Sequence, residues 1–589
     1  MSSLDWIVLI GTLACIVTYG LYKSRTEKSM EAYFLVNRSM PWYLILLSIM
    51  GTQASAVTFL SAPGQAFTDG MRFLQYYFGL PIAMVILCVT FVPLYGKLKI
   101  FTAYEYLEQR FDVKTRTFTS FLFLLSRGLS TGISIYAPSI ILSSLLGWDI
   151  YWTNIFMGGL LIIYTVTGGA KAVAYTQQLQ LLIILGGMFV AGYLIVHKLP
   201  EGVSFSDALK VSGASGKLNV ITSGIKSQGF DWKDRYNLIS GIIGGAFLAL
   251  SYFGTDQSQV GRYLTAKNDR ESKLGLLMNG LVKVPMQFFI LLIGALLFTF
   301  YQFNKQPIFF NDAVKEKVYQ SAYGDSLRAV NTAYEKASAD KQVLVRSYVD
   351  AIHEKKEEAT PGIKANIQQA DHHIDSLRTT YKKYLSKADA SIDTNDTNYI
   401  FLKFVVDYLP AGLVGLLIAI IFLAAWGSIA AALNSLASCT MIDFYCRFKH
   451  HHAHPDQQDV DDEKKYKLSK WFTFAWGVFC IVVAQFSNRM GSLIEAVNIL
   501  GSLFYGVILG IFLVAFYMKK IKGNAVFWAA VISELIVIVL FILDRYNIIG
   551  LGFLWFNVIG AALVILFAAL FNKFAGKQEF TAKTQRAGS

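Results

Sequence analysis

Charged residues are scarce in this sequence: Asp, Glu, Lys and Arg make up only 16% of its 589 residues, while 54% are hydrophobic. Because soluble proteins carry about 25% charged residues, this composition excludes a soluble globular protein of this length. The sequence also lacks a phosphate-binding glycine loop, an HExxH zinc motif and a nucleophile elbow. No polar segment is large enough for a catalytic domain, so we do not expect an enzyme.

Residue types that build disulfide frameworks and metal centres are also sparse. The two large loops that we expect outside the membrane contain no cysteine, so no external disulfide framework is predicted. The histidine cluster HHHAHPDQQDVDD in segment 441–467 lacks fixed tetrahedral ligand spacing, which favours a flexible solvated loop over a metal site. The five cysteines are Cys15, Cys88, Cys439, Cys446 and Cys480.

Long apolar runs dominate what remains. A membrane-spanning helix needs about 20 apolar residues, and thirteen runs of that kind recur along the chain. The first run lacks a basic leader and a cleavage site, so we expect a retained helix rather than a signal peptide. The runs cover about residues 4–22, 41–60, 71–96, 116–147, 149–168, 176–197, 237–257, 274–302, 409–440, 468–486, 494–518, 524–543 and 551–572.

Lysine and arginine concentrate in alternate short loops, which sets the expected orientation. The basic loops are expected to be cytoplasmic, so the N-terminus lies outside and the C-terminus inside. The net charge of +13 fits this bias and gives no indication of nucleic-acid binding. The basic loops are 23–40, 97–115, 258–273 and 519–523, and the loops with few basic residues are 61–70, 487–493 and 544–550.

Two segments between spans are long. Residues 303–408 are charged with a helical pattern on both sides of Pro361–Gly362, which predicts a helical hairpin outside the membrane. We favour a solvated decoration over a partner-binding arm for this hairpin. Residues 198–236 mix Gly, Ser and Lys and predict an irregular loop.

Two apolar spans are interrupted by polar residues at mid-membrane depth. MGTQASAVTFLSAPG (50–64) interrupts the first span of 41–197, and Gly254-Thr255-Asp256-Gln257 interrupts the first span of 237–518. Paired interruptions at corresponding places in two five-span halves indicate an inverted-repeat transporter. Unwound backbone is tolerated in lipid only where it lines a cavity. Close helix packing is the alternative explanation, but it accounts for Gly and Ser better than for Gln53 and Asp256.

Four motifs, in order and at matching spacing, resemble the sodium/solute symporter family, which contains sodium/glucose, proline and iodide transporters. The motifs are FTAYEYLEQRF (101–111), YTVTGGAKAVAYTQQLQ (164–180), DQSQVGRYLTAK (256–267) and LNSLASCTMIDFY (433–445). The resemblance covers about residues 30–520, and SAVTFLSAPG and TGISIYAP are nearer the iodide and monocarboxylate branch than the sugar branch. It implies an all-α membrane protein with a LeuT-like fold and about 13 transmembrane helices.

The resemblance also divides the chain into parts. It implies two inverted five-helix repeats, preceded by one extra helix and followed by two. The resulting parts are 1–40 (extra helix and basic loop), 41–197 (first repeat), 198–236 (outside loop), 237–518 (second repeat, with the hairpin 303–408 inserted), 519–572 (two additional helices) and 573–589 (cytoplasmic tail).

The family's sodium site maps onto the first broken helix and the eighth core helix. By resemblance, its ligands here are the carbonyls of Gly51, Ala54 and Ala424 and the hydroxyl of Ser428. The position of a second hydroxyl is Gly427, which is a departure from the family pattern. Sodium needs about five or six oxygen ligands, so a lost hydroxyl must be replaced by water or omitted.

A second sodium site, which some members of the family have, is not expected. The positions of its carboxylate and hydroxyl ligands read Gln177, Ala430 and Ala431 here, so no anionic ligand remains.

The resemblance also implies a substrate cavity between the two broken helices. The carboxylate and amides that sugar transporters place at the Tyr77 and Ala249 positions are missing. Tyr252 matches the aromatic residue that closes the site on the cytoplasmic side. The expected lining residues are Gln53, Thr58, Tyr77, Ala249, Tyr252, Lys283 and Asn498.

Charged residues inside spans are costly and therefore indicate function. Arg127 offers a planar fork suited to a carboxylate, with a snorkelling or Asp-paired structural arginine as the alternative. Lys283 is assigned to the cavity. Asp256 is expected to be tied to Arg262, and Arg262 and Asp443 are expected to belong to gate pairs near the cytoplasmic edge.

These observations together predict a secondary-active symporter that imports a small polar organic solute, such as a sugar or polyol, sialic acid or another carboxylate, coupled to sodium. The alternative is a proton-coupled or uncoupled carrier of the same fold, which Gly427 suggests. A sensor would carry a signalling domain, and a channel would show a polar stripe along several helices. We expect a multi-pass monomer in the cell membrane that contacts lipid and needs no organic cofactor.

Overall fold

The computed structural model describes residues 1–24, 34–98, 100–356, 360–390, 392–449, 458–487 and 491–587, and this part of the chain is almost entirely helical. The histidines at 450–454 lie outside it. Within these ranges ten helices are long and apolar enough to cross a membrane, beside the shorter apolar helices Trp42–Gln53, Ile150–Val166 and Ser240–Gly254. The all-helical membrane architecture is confirmed, and the count of thirteen spans stays a prediction.

The first half of the chain contains one leading helix and then the helices of the first predicted repeat. The helices are α1 (Ser3–Ser24), α2 (Trp42–Gln53), α3 (Ala56–Asp69), α4 (Leu80–Val89), α5 (Phe91–Leu98), α6 (Glu105–Arg110), α7 (Val113–Leu146) and α8 (Ile150–His197), with 3-10 turns at Val36–Arg38 and Gly70–Tyr77. The predicted span 71–96 is therefore divided between a 3-10 turn and two short helices.

Helix α8 contains two of the predicted spans. In a straight helix, residues twelve positions apart are separated by about 18 Å along the axis. The Tyr164 and Thr176 hydroxyl oxygens are nevertheless only 2.7 Å apart. Helix α8 is therefore not straight between these two residues.

The segment 198–236 is more ordered than the predicted irregular loop. A capping box at Ser204 and Asp207 starts a helix of ten residues, and a small antiparallel ladder follows. The elements from here to the hairpin are α9 (Phe205–Ala214), β1 (Ile225–Lys226), β2 (Gly229–Phe230), a π-helical turn (Ser240–Gly244), α10 (Gly245–Gly254), α11 (Gln257–Tyr263) and α12 (Asp269–Phe303).

A charged helical hairpin follows α12, and the side of the molecule that carries it is called the hairpin face below. Its helices are α13 (Asp312–Val318), α14 (Gly324–His353) and α15 (Thr360–Ala388). Leu327 shares a buried cluster with Leu385, and Val345 shares another with Ile367, so α14 and α15 are antiparallel. Pro361 lies in the first turn of α15 rather than between the two helices, a position that suits its fixed φ.

The hairpin is docked on the segment between the two repeats. His353 Nε2 lies 2.9 Å from an Asp207 carboxylate oxygen, and Ser215 Oγ donates to Asp371 at 2.8 Å. Lys341, which is buried, also pairs with Asp371. The hairpin therefore braces α9 and the turn that follows it.

The remaining helices complete the second repeat and add two more. They are α16 (Thr397–Tyr408), α17 (Leu413–Cys439), a π-helical turn (Thr440–Cys446), α18 (Arg447–Lys449), α19 (Gln458–Gln485), α20 (Leu493–Tyr517), α21 (Gly523–Arg545) and α22 (Leu554–Ala587).

Both predicted helix interruptions are confirmed. At the first interruption α2 ends at Gln53 and α3 begins at Ala56. At the second, α10 ends at Gly254 and α11 begins at Gln257. Helix α3 approaches its neighbours so closely that a Cβ atom on Gly64 would lie 2.0 Å from a backbone oxygen of α16. Glycine is therefore required there, and the broken helix is firmly seated.

Candidate functional site

A cavity of about 130 Å³ lies beside the first helix break. A volume of this kind holds several water molecules or a small solute. Its walls come from α2, α3, α7, α10, α12, α17 and α20, together with the turn before α4. The residues that line it include Gln53, Thr58, Tyr76, Tyr77, Arg127, Ala249, Tyr252, Lys283, Ser428, Asn498 and Tyr505. Every residue expected from the sequence to line a substrate cavity therefore surrounds this one space.

The break itself is a short extended segment. Ala54 and Ser55 leave helical geometry, with ψ angles of 68° and 168°. On one side of the break Gln53 Nε2 donates to Asn279 Oδ1 at 3.2 Å, and on the other Thr58 Oγ1 donates to the Gln53 carbonyl at 3.3 Å. The polar residues of the opening motif thus sit where the backbone has lost its helical hydrogen bonds.

Arg127 lines the cavity and is paired with Asp256, which is buried and is not itself a lining residue. Arg127 Nη1 lies 3.9 Å from Asp256 Oδ2, which also accepts a hydrogen bond from Tyr505 Oη at 2.9 Å. The guanidinium carbon is 5.9 Å from the Tyr252 ring centroid. Within the described ranges Arg127 Nε has no hydrogen-bond partner. Arg127 is therefore both paired with an aspartate and open to the cavity.

The expected pair of Asp256 with Arg262 is wrong. Asp256 caps α11 by accepting the Ser258 N–H at 2.8 Å, which directs its carboxylate back toward α7 and Arg127. Arg262 is 3% exposed and forms no ion pair with any described residue.

Lys283 is the second cation of the site. Its side chain is 1% exposed, and the ammonium nitrogen lies 5.6 Å from the Tyr77 ring centroid. Among the described residues no carboxylate pairs with it. Arg127 is paired with Asp256, whereas Lys283 has no carboxylate partner among the described residues, which leaves its positive charge in surplus at the cavity.

The hairpin side of the cavity is closed by a thin polar layer. Tyr76 Oη donates to Asn498 Oδ1 at 3.1 Å, which joins the turn before α4 to α20. One helical turn nearer the hairpin face, Glu495 accepts from Arg235 at 2.6 Å and from Tyr236 at 3.0 Å. A few side chains therefore separate the cavity from this face.

The opposite side is closed by a larger ion cluster. Arg116 donates to the fully buried Asp443 at 2.7 Å and to Glu108 at 2.8 Å, and Glu108 also pairs with Arg447. Asp443, which lies in the π-helical turn after α17, is thus paired with Arg116 near the start of α7, and its role in a gate stays a prediction. The expected gate pair of Arg262 is not formed among the described residues.

The expected sodium ligands lie on α2, at the break and on α17. Gly51 is in the last turn of α2, Ala54 is the break residue, and Ala424 and Ser428 are one turn apart on α17. Ser428 Oγ donates to the carbonyls of Ala424 and Ala425 at 3.1 Å, and its side chain borders the cavity. These groups supply backbone and hydroxyl oxygens, the ligand type that a hard cation prefers.

The region of the second sodium site is filled by an amide. Gln177 is completely buried, and its Nε2 donates to the Gly427 carbonyl at 3.0 Å. Ala430 and Ala431 are also buried and supply no side-chain oxygen. No cluster of three His, Cys, Asp or Glu residues that could hold a metal occurs in the described part of the chain.

Sequence reasoning missed a hydroxyl-bearing wall on α7 and two tyrosines. Ser130, Thr131 and Ser134 line the cavity together with Arg127. Their spacing of three, four and seven residues from Arg127 places them on one helical face, and this periodicity could have revealed them. Tyr76 and Tyr505 carried no comparable signal.

Comparison with known proteins agrees with this geometry. A family model described as "Sodium:solute symporter family" matches residues 33–334 and 383–533, so part of the hairpin falls outside it. The sodium/sialic acid symporter SiaT of Proteus mirabilis (strain HI4320) is 26% identical over 570 residues, covering 96% of this chain and 93% of that protein. The human sodium/iodide cotransporter is 30% identical over 257 residues, covering 43% of this chain and 38% of that protein.

A solved structure supports the same fold. It is described as the substrate-bound outward-open state of a Na⁺-coupled sialic acid symporter, and it covers 97% of this chain and 98% of its own with a TM-score of 0.72 and 23% identity. The fold is therefore LeuT-like. Members of the matched family are transporters rather than enzymes, their coupling ion is sodium, and no organic cofactor is indicated. This chain belongs to the sodium:solute symporter family.

Proposed function

We propose that this protein is a sodium-coupled symporter that imports a small polar organic solute carrying a carboxylate. The observation that carries the proposal is the surplus positive charge at the cavity, where Arg127 is paired with Asp256 but Lys283 has no carboxylate partner among the described residues. A buried unpaired ammonium group is costly, and an anionic solute would compensate it. The relatives named sodium/sialic acid symporters support a carboxylate as cargo.

Coupling is proposed to arise at the broken first helix. Sodium would bind the carbonyls of Gly51, Ala54 and Ala424 and the hydroxyl of Ser428, while Gln53 and Thr58 would face the solute. Because one short segment would then contact both ligands, each would bind better once the other had ordered the break. The remaining proposed solute contacts are Tyr77, Arg127, Tyr252, Lys283 and Asn498.

Alternating access would operate across the two closures. The thin layer at Tyr76 and Asn498 would open the cavity toward the hairpin face, which we assign to the outside. The cluster of Arg116 and Asp443 would open it toward the cytoplasm. Tyr252, whose hydroxyl accepts from a glutamine of α11, would cover the solute from the cytoplasmic side until the cation leaves. This assignment puts the N-terminus outside the cell membrane and the C-terminus in the cytoplasm.

A thermal-shift screen of the purified protein tests the proposal. Sialic acid, monocarboxylates, amino acids, sugars and polyols would each be added in sodium and then in potassium buffer. A ligand stabilises the folded protein by RT ln(1 + [L]/Kd), so the correct solute raises the melting temperature. We expect a carboxylate to give the largest shift, and a larger shift in sodium than in potassium. Stabilisation by neutral sugars alone would contradict the proposed solute class.

A carrier that runs without sodium is the second candidate. The bond between Gln177 and the Gly427 carbonyl favours it, because it engages one carbonyl beside the proposed cation site. Uptake into proteoliposomes would separate the two candidates. A sodium gradient alone drives accumulation in the first case. In the second case a proton gradient drives accumulation, or the solute only equilibrates across the membrane whichever gradient is applied.

A further inference from the structure

We infer that the buried side-chain amide of Gln177 takes the place of a second bound cation, tying the first broken helix to α17 without an ion. The inference concerns the coupling stoichiometry, and it rests on the proposed function in so far as sodium is the coupling ion. It assigns to Gln177 the role of an ion-specificity determinant.

The hydrogen bonds of Gln177 connect three helices. Its own backbone lies on α8, and its Oε1 accepts from Ser48 Oγ at 2.9 Å. Its Nε2 donates to Thr52 Oγ1 at 3.2 Å and to the Gly427 carbonyl at 3.0 Å. Ser48 and Thr52 lie on α2, the half-helix that leads into the break, and Gly427 lies on α17. One neutral side chain therefore links the two elements that contribute the proposed sodium ligands.

The orientation of the amide is fixed by its partners. A backbone carbonyl can only accept a hydrogen bond, so the group that meets Gly427 must be the NH₂ and not the oxygen. The positive end of the amide dipole thus points at the oxygen atoms of Gly427 and Thr52. These are the same atoms that would attract a cation. While these bonds last, no cation can sit between the same oxygens.

Two glycines make room for this side chain. A Cβ atom on Gly51 would lie 2.9 Å from Gln177 Cβ, and one on Gly427 would lie 3.2 Å from Gln177 Cγ and 2.6 Å from Gln180 Oε1. Both contacts are too short for any residue other than glycine without a shift of the glutamines. Glycine at position 427 therefore leaves the space that the Gln177 side chain occupies. The absence of a hydroxyl at 427 and the presence of an amide at 177 thus depend on each other.

Positions 430 and 431 of α17 supply no side-chain oxygen to this region. Ala430 and Ala431 are buried in a cluster with Tyr164 and Val173. The amide of Gln177 is satisfied by the three hydrogen bonds it makes, and none of its partners is a carboxylate that would balance the charge of a second cation.

The test is to change the amide to a carboxylate and to a shorter amide in the full-length protein. Gln177→Asp supplies an anionic ligand and space, whereas Gln177→Asn supplies the same space without charge. The melting temperature of each purified variant would be titrated with sodium chloride against potassium chloride. We expect Gln177→Asp to gain a sodium-specific stabilisation with a half-saturating concentration roughly tenfold below that of Gln177→Asn, because ligand charge strengthens cation binding.

Equal sodium responses of the two variants would overturn the inference, whether both gain stabilisation or neither does. Gln177→Glu, which keeps the chain length of glutamine, serves the same comparison if Gln177→Asp does not fold. The failure of this inference and the failure of the proposed function can be told apart. A wild-type protein without any sodium response would contradict sodium coupling, yet the difference between the aspartate and asparagine variants would still decide the role of Gln177.

Discussion

Replacing Lys283 by methionine should change stability and solute binding in opposite directions. In the empty protein the ammonium group is 1% exposed and has no carboxylate partner among the described residues. Burying an unpaired charge costs several kcal/mol, and the contact with Tyr77 at 5.6 Å offsets about 2 kcal/mol of that cost. Methionine has a similar length and no charge, so Lys283→Met should stabilise the solute-free protein by about 1–3 kcal/mol.

The same substitution should weaken solute binding. A hydrogen bond between a charged group and a carboxylate contributes about 1.5–3 kcal/mol, which corresponds to a loss of roughly 10- to 100-fold in affinity. The assay measures the melting temperature without solute and the concentration of solute that half-saturates the thermal shift. Lys273→Met on the same helix is the matched control, because Lys273 lies away from the cavity and is only partly buried.

Two results would refute this reasoning. If Lys283→Met lowered the solute-free melting temperature, the lysine would have a structural partner that compensates its charge. If Lys283→Met and the control Lys273→Met both bound the solute with wild-type affinity, Lys283 would not contact the solute. The surplus charge at the cavity would then not define the substrate class.

Four further outcomes are expected. Ser428→Ala should raise the sodium concentration for half-maximal uptake, with at most one sodium per solute, and inward movement of about one net positive charge per singly charged anionic solute would contradict this. Arg127→Gln should cost about 1.5–3 kcal/mol of solute binding, and unchanged affinity in a folded variant would make Arg127 purely structural. Gln53→Ala should weaken solute binding and alter its sodium dependence, and a variant with neither effect would reduce the polar patch to helix packing. Burial acts to raise the pKa of Asp207, but hydrogen bonds, including that from His353, outweigh it and hold the pKa below its ordinary value. The contribution of Asp207 to hairpin docking should therefore be fully present above about pH 4 and be lost as the pH falls below it. Hydrogen exchange of α14, compared between wild type and Asp207→Asn, would measure this loss.

The two helix interruptions were predictable because they depend on local sequence, whereas the cavity lining was implied by the family resemblance. Polar and small residues at mid-span, as in Gln53 and Thr58, leave few structural solutions inside lipid. The resemblance to a family then located residues such as Lys283 and Asn498, which are distant in sequence, around the same space. The structure brings these residues together, and their roles in binding stay predictions.

The ion pairs could not be predicted in the same way. Asp256 was assigned to Arg262 because the two are close in sequence, but the cap of α11 turns the carboxylate toward Arg127 on another helix. Asp443 meets Arg116, which lies 327 positions away in the chain, and no partner for Asp443 was predicted from the sequence. Partner choice for charged side chains depends on how helices are placed in three dimensions, and sequence separation carries little information about it.

The seating of α3 against α16 has a consequence for the time course of synthesis. Ser61 of the broken helix donates to Asn398 at 2.7 Å, and these residues are 337 positions apart in the chain. At about 5–20 residues per second, the ribosome needs roughly 20 to 70 s to make the partner after the broken helix has emerged. During that interval the break at Ala54 and Ser55 lacks the helix that finally holds it. The cavity beside the break is therefore completed only after α16 has been made, even though its first residues lie within the first tenth of the chain.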